Sequence, residues 1–256
     1  MRRVRHSSRV TMSGSYRLVV VALRPLLMSL TRRDWRGAEH LRVDGSLDDG
    51  IVIAVNHLSW FDPLVVSHFL VDNGRLPRFL AKEAIFRVPA VGRIVRGAHQ
   101  IPVHRGTADA VEALTSAVAA VRAGECVLVY PEGTITRAPG LWPMTGKTGA
   151  VRIALDSGAP LIPVAQWGAH EVMRPYAKEL RLIPRKTMRV WAGPPVDLDD
   201  LRGHEPSEAE LVDATERLMV AITGLLEQIR GEAAPTPRFV WPLSPPAGPG
   251  QGRMTS

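Results

Sequence analysis

A chain of 256 residues with 45% hydrophobic content can bury one sizeable core, as an α/β domain with appendages would. Its single cysteine, Cys126, excludes an internal disulfide and a cysteine-based zinc site. The net charge of +7 is confined: residues 1–36 carry nine arginines against Asp34, or +8, so the remaining residues sum to −1. That distribution argues against a nucleic-acid-binding face on the folded body. It favours a basic segment that meets an anionic membrane surface.

Taken in order, residues 1–15 are basic and Ser-rich. Residues 16–30 are apolar but are broken by Arg24 and Pro25, far short of the ~20 residues that span a bilayer. They read as a helix or kinked pair lying on a membrane surface; packing on the domain's own core is the competing reading. A short strand and turn is expected at 41–45, and a buried strand over Ile51-Val52-Ile53-Ala54-Val55. Helices are expected at 63–71, 89–97, 107–123, 148–156 and 208–230, and strands at 76–81, 100–103, 126–130, 161–165 and 189–192. Strands alternating with helices predict a mixed, largely parallel sheet flanked by helices. From residue 234 the chain is rich in Pro and Gly and reads as an extended tail, in which Phe239, Val240 and Trp241 could dock on the domain. The organisation expected is therefore a membrane-associating segment at 1–36, an α/β domain at 37–232 and a tail at 233–256.

Four stretches carry chemistry. The 51–55 strand stops at Asn56-His57, and Asp62-Pro63 follows as a helix start. His57 thus falls at the rim of the sheet where ligands of open α/β folds bind. An imidazole there can take a proton from a hydroxyl if a carboxylate holds its tautomer. On a regular helix positions five apart are roughly 140° apart, so His57 and Asp62 meet only if the chain turns between them. Capping explains Asp62 equally well: Asp-Pro is a good helix start, and Ser59 with Asp62 fits a capping box. The second stretch sets Arg105 just past the 100–103 strand, where a guanidinium suits a phosphate. The third, Tyr130-Pro131-Glu132-Gly133-Thr134, turns sharply after a strand; Glu132 could accept from a substrate hydroxyl or an arginine. Lys147 follows near a helix start, a place that attracts anions. In the fourth, Ile162-Pro163-Val164, a proline in a strand points to an edge or a bulge.

In this order the four stretches resemble the motifs of the glycerolipid acyltransferases, most closely the PlsC-like 1-acylglycerol-3-phosphate acyltransferases, over about residues 40–200. The resemblance implies an acyl-CoA-dependent transfer to a lysophospholipid, most closely lysophosphatidic acid, with no cofactor beyond acyl-CoA as co-substrate. His57 would be the general base and Asp62 its orienter. Arg105, Glu132, Gly133, Thr134 and Lys147 would bind the acceptor, and the enzyme would sit peripherally on the cytoplasmic face of the cell membrane. Two departures bear on the acceptor headgroup. The aromatic and acidic residues usual before the second-motif arginine are replaced by Pro102-Val103-His104. Ile135-Thr136 stand where arginine and serine usually follow Glu-Gly-Thr, leaving Arg137 or Lys147 as substitutes. Other lysophospholipid or glycolipid acceptors, and a non-catalytic lipid-binding role, remain the alternatives.

Overall fold

A computed structural model describes residues 14–89, 91–97, 100–103 and 107–241. Seven strands form one sheet: β1 (Thr31–Arg36), β2 (Ile51–Val55), β3 (Pro77–Lys82), β4 (Ile101–Val103), β5 (Cys126–Val129), β6 (Leu161–Trp167) and β7 (Lys186–Ala192). Their order is β1-β7-β6-β2-β5-β3-β4, and every neighbouring pair is parallel except β6 and β7. The helices are α1 (Gly14–Leu30), α2 (Asp62–Asp72), α3 (Glu83–Phe86), α4 (Val91–Gly97), α5 (Thr107–Arg122), α6 (Gly149–Ser157), α7 (Ala169–Val172) and α8 (Glu208–Arg230).

The two-residue alternation of β2 splits the core into two layers. Val52 and Ala54 face one layer with Ala117 and Val121 of α5, Ile153 of α6 and Leu218 of α8. Ile51, Ile53 and Val55 face the other, with Val66 and Phe69 of α2 and Val172 of α7. Both faces of the sheet are covered, which is why its central strands are continuously apolar. Each fully buried Leu, Ile or Phe contributes about 1.5–3 kcal/mol. α8 occupies the expected 208–230: Ser207 and Glu210 close a capping box at its start, and Gly231 stops it in the left-handed region.

Three expectations are corrected. Residues 31–36, counted with the membrane segment, are an edge strand paired in register with β7 from Thr31↔Lys186 to Arg36↔Trp191. Their charges are partly engaged on the body: Arg33, together with Arg24 of α1, bonds Asp72, and the Arg36 guanidinium lies over the Trp191 ring. Residues 41–45 hold no strand; a 3₁₀ turn (Ala38–Leu41) precedes a one-pair bridge between Val43 and Ser46, because buried Arg75 donates to the carbonyls of Leu41, Leu47 and Asp49 and folds the loop around itself. Pro163 lies in the interior strand β6, opposite Ala54 of β2. It is tolerated because the β6–β7 ladder begins one residue later, at Val164↔Ala192, while its carbonyl still accepts from Gly193 N–H.

α1 settles on one edge. Leu27 is buried in the α2-side layer, whereas Val21 and Leu26 are exposed. No helix among the described residues is long and apolar enough to cross a membrane. The tail docks through residue 241. Phe239 packs beside Leu226 and Trp142, its carbonyl accepts from Thr145 N–H, and Arg238 bonds Thr223 and Glu216 of α8.

Candidate active site

β2 delivers His57 to the carboxyl-terminal rim of the sheet. Asn56, fully buried, prolongs the pairing with β6 by one residue through its side chain. Its Nδ2 donates to the Gln166 carbonyl at 3.1 Å, and its Oδ1 accepts from Gln166 N–H at 2.8 Å. The chain then turns, and α2 begins at Asp62. The turn does what a helix could not: His57 Nδ1–H donates to Asp62 Oδ2 at 2.7 Å. The same oxygen accepts the main-chain N–H groups of Leu58 at 2.5 Å and Ser59 at 2.9 Å. Asp62 is 0% exposed and the His57 side chain 16%. With Nδ1 committed to the carboxylate, the lone pair of the neutral ring lies on Nε2, for which no hydrogen bond exists among the described residues. The helix cap itself is Phe61, with no side-chain cap bond. Asp62 therefore organises the preceding turn and the imidazole rather than the free N–H groups of α2.

The β5 loop backs the histidine. Tyr130 stacks on the His57 ring, with centroids 4.1 Å apart and planes at 22°. Burial, with the nearby charge of Asp62 adding to it, holds the Tyr130 phenol well above its usual range. Glu132 is 4% exposed. One carboxyl oxygen accepts His57 N–H at 2.9 Å and the other Met144 N–H at 3.0 Å. It thus faces inward, where an acceptor of substrate or arginine donors was expected. Burial pushes its carboxyl up to about 8 against the pull of those two N–H groups. Thr136 N–H closes the loop onto the His57 carbonyl at 2.8 Å.

Outside this buried layer the polar groups point to solvent. Gly133 turns at φ 70°, a conformation that suits glycine. Lys147 is exposed and lies alongside: a Cβ at Gly133 would come 2.9 Å from its ammonium nitrogen. Its N–H donates to the Pro131 carbonyl at 2.9 Å, and α6 starts two residues later. Thr134 is half-buried beside them. Arg137 stacks over Tyr176 at 3.8 Å and reaches Trp241 at 5.1 Å. Arg105 and His104 lie outside the described residues. Among the described residues no group of three or more His, Cys, Asp or Glu side chains is placed to hold a metal ion.

The sequence reading passed over Asn56 and Tyr130. Each sits at the last position of a buried strand or one beyond it, so a polar or aromatic side chain ending an apolar run was the available signal. A family model described as Acyltransferase matches residues 32–167, from β1 through the end of β6.

The chain belongs to the acyltransferase family.

Among its relatives is the 1-acyl-sn-glycerol-3-phosphate acyltransferase of Bacillus subtilis (strain 168), 30% identical over 67% of this chain and 78% of the relative. The chloroplastic BAT2 enzyme of Brassica napus bearing the same activity name is 29% identical, over 56% of this chain and 39% of the relative. That of Neisseria gonorrhoeae is 28% identical, over 46% and 44%. The match to the last two spans less than half their length. The crystal structure of the 1-acyl-sn-glycerophosphate (LPA) acyltransferase PlsC from Thermotoga maritima superposes with a TM-score of 0.64, covering 86% of this chain and 83% of that one. At 21% identity that likeness establishes the fold. The matched stretch of this acyltransferase contains His57, Asp62, Tyr130 and Glu132; Lys186 and the charged loop before it fall outside.

Proposed function

We propose that this acyltransferase moves an acyl group from acyl-CoA to the free hydroxyl of lysophosphatidic acid, giving phosphatidic acid for phospholipid synthesis. The observation that carries the reading is the 2.7 Å bond between His57 Nδ1 and a fully buried Asp62, with Nε2 left for a substrate. Nε2 takes the proton as the acceptor oxygen attacks the thioester carbon. The C–S bond breaks as the new C–O bond forms, and the proton passes to the departing thiolate, so no acyl-enzyme is needed. Asp62 stabilises the imidazolium that forms in between. The acceptor phosphate is met on the β5 side by Lys147 over Gly133 and by the first N–H groups of α6; the sequence resemblance adds Arg105 to that role. The named activity of the relatives supports lysophosphatidic acid over other lysophospholipids and glycolipids.

The same reading sets the enzyme on an anionic membrane surface, facing the cytoplasm. β1 runs parallel to β7, and β7 antiparallel to β6, so the end of α1 and the end of β2 share one rim of the sheet. Apolar side chains are exposed on segments that enter or leave that rim: Leu26 of α1 at 51%, Trp60 beside His57, and Leu180 and Ile183 before β7, the last at 88%. The test is thiol release from acyl-CoA with and without lysophosphatidic acid. Release that requires the acceptor supports a transferase. Release without it indicates a thioesterase, and no release with any lyso-acceptor indicates a lipid-binding protein.

A further inference from the structure

A cavity of about 580 Å³ opens on the β6–β7 side of the rim, lined by Leu141, His170, Glu171, Arg174, Pro175, Arg181 and Lys186. Its volume is that of a small-molecule site. Neither His57 nor Asp62 lines it, and no described residue of the four sequence motifs does. We infer that this cavity binds phosphate, and that the phosphate belongs to the acyl donor rather than to the acceptor. The assignment to the donor rests on the acyl-CoA-dependent reading above.

Charge comes first. Among the described residues three cationic side chains line the cavity against one carboxylate, Glu171. The Arg174 and Lys186 side chains have no hydrogen-bond or ion-pair partner among the described residues, and the pairing of Arg181 with Glu179 at 3.2 Å is an exposed one, worth little in water. Elsewhere the arginines near carboxylates are engaged: Arg217 holds Asp200 and Asp213, and Arg24 and Arg33 hold Asp72. His170 adds a buried Nδ1 with no partner. Burial keeps its ring below the usual imidazole range, so near neutral pH it is an uncharged group able to donate one hydrogen bond.

Position separates the two phosphate-bearing substrates. In the sheet, β2 stands between β5 and β6. The Gly133–Lys147 surface lies on one side of His57 and the cavity on the other, at the end of β6 and the start of β7. The acceptor phosphate is only a few bonds from the reacting hydroxyl and must lie beside His57. The phosphates of CoA are held away from the thioester by the long pantetheine arm. A cationic cavity that the base does not line fits the distant group. It is also fixed relative to the base: Ser59 Oγ donates to the Met173 carbonyl at 2.6 Å, and Tyr176 O–H to the Ile135 carbonyl at 2.6 Å.

The experiment uses the full chain and the variants Arg174→Ala, Lys186→Ala and, as a charge-retaining control, Arg174→Lys. CoA and adenosine 3′,5′-bisphosphate are titrated calorimetrically. KM is measured for acyl-CoA, for the phosphate-free acyl-N-acetylcysteamine thioester and for lysophosphatidic acid. Each alanine variant is expected to weaken CoA binding and raise the acyl-CoA KM about tenfold, less than a fully buried pair would lose. The acceptor KM and turnover of the phosphate-free donor should stay within about twofold, and Arg174→Lys should recover part of the loss. A rise in acceptor KM alone would assign the cavity to the acceptor headgroup and overturn the donor assignment. Equal losses with the phosphate-free donor would make the residues structural. Unchanged CoA binding would remove the site. The calorimetry needs no turnover, so an enzyme inactive on every acceptor would fail the functional reading while still reporting on the cavity.

Discussion

On the β5 side of His57 the polar groups nearest the ring are turned inward; on the β6–β7 side they are turned outward around a cavity. Glu132, buried, uses both oxygens on main-chain N–H groups, and the partly buried Tyr130 stacks on the imidazole. Arg174, Arg181 and Lys186 instead surround open space. The contrast separates two tasks. Buried groups directed at the main chain are costly to break, because a donor left unpaired in the interior costs about 1–3 kcal/mol, so they set geometry. Cations at a concave surface that are unpaired or held only by an exposed pair cost the fold little and remain available to a ligand. Substitutions of the buried groups on the β5 side should therefore change rate and stability together, and those of the exposed cations, on either side of β2, should change substrate affinity alone.

Asp62→Asn attacks the inward side hardest. One Asp62 oxygen serves Leu58 N–H, Ser59 N–H and the imidazole together, so an asparagine oxygen there keeps all three contacts but loses the charge that stabilises the imidazolium. Activity should fall on the order of 10²–10⁴-fold with the fold retained. Near-normal activity, measured as acceptor-dependent thiol release, would reduce Asp62 to a turn former.

Lys147→Ala tests the outward part of the β5 loop. The KM for lysophosphatidic acid should rise about tenfold while that for acyl-CoA stays constant. Equal rises for both substrates would remove the separation of the two phosphates across β2.

Glu132→Gln should cost about 1–3 kcal/mol, because an amide N–H₂ then faces one of two main-chain donors. The cost should depend on pH. Below 4.5, the ordinary value, the wild-type carboxyl is protonated whether folded or unfolded. As pH rises toward about 8, the folded value, only the unfolded chain ionises, so the wild type loses stability that glutamine does not. The wild-type advantage in urea denaturation should shrink across that window; an advantage constant with pH would contradict a raised Glu132.

The smallest effect expected is at the membrane. Because β1 is part of the sheet and Leu27 is buried, truncating the first 36 residues would damage the fold, so point changes serve better. Val21→Gln with Leu26→Gln should lower co-sedimentation with anionic vesicles several-fold, leaving a residue of salt-sensitive binding. Undiminished binding would place the contact elsewhere on the rim.

Much of the architecture was legible because periodicity and punctuation agree. α8 has its capping box, its 3.6-residue apolar stripe and its terminal glycine, and it forms where those signals stand. The 51–55 strand and the turn that follows it were legible for the same reason. β1 was not: Thr-Arg-Arg-Asp-Trp-Arg has no apolar alternation, since its face is made by Thr31 and by a Trp35 ring packed edge-on against His68 and Phe69. Pro163 misled because the rule for prolines in strands concerns the missing N–H, and that nitrogen falls where the ladder with β7 has ended. In the site, His57 and Asp62 could be paired from spacing and a turn, but the inward aim of Glu132 could not. Its partners, His57 and Met144, are 75 and 12 residues away. The cavity was out of reach for the same reason, as its cations come from the loop after β6 and the start of β7.

The central claim is that His57, held by Asp62, is the base for acyl transfer to a hydroxyl. The direct measurement is acceptor-dependent thiol release by His57→Ala beside the wild type, at matched secondary structure by circular dichroism and matched vesicle binding. The account predicts a fall in kcat on the order of 10²–10⁴-fold with both KM values nearly unchanged. A variant that kept kcat within about tenfold of the wild type would contradict it.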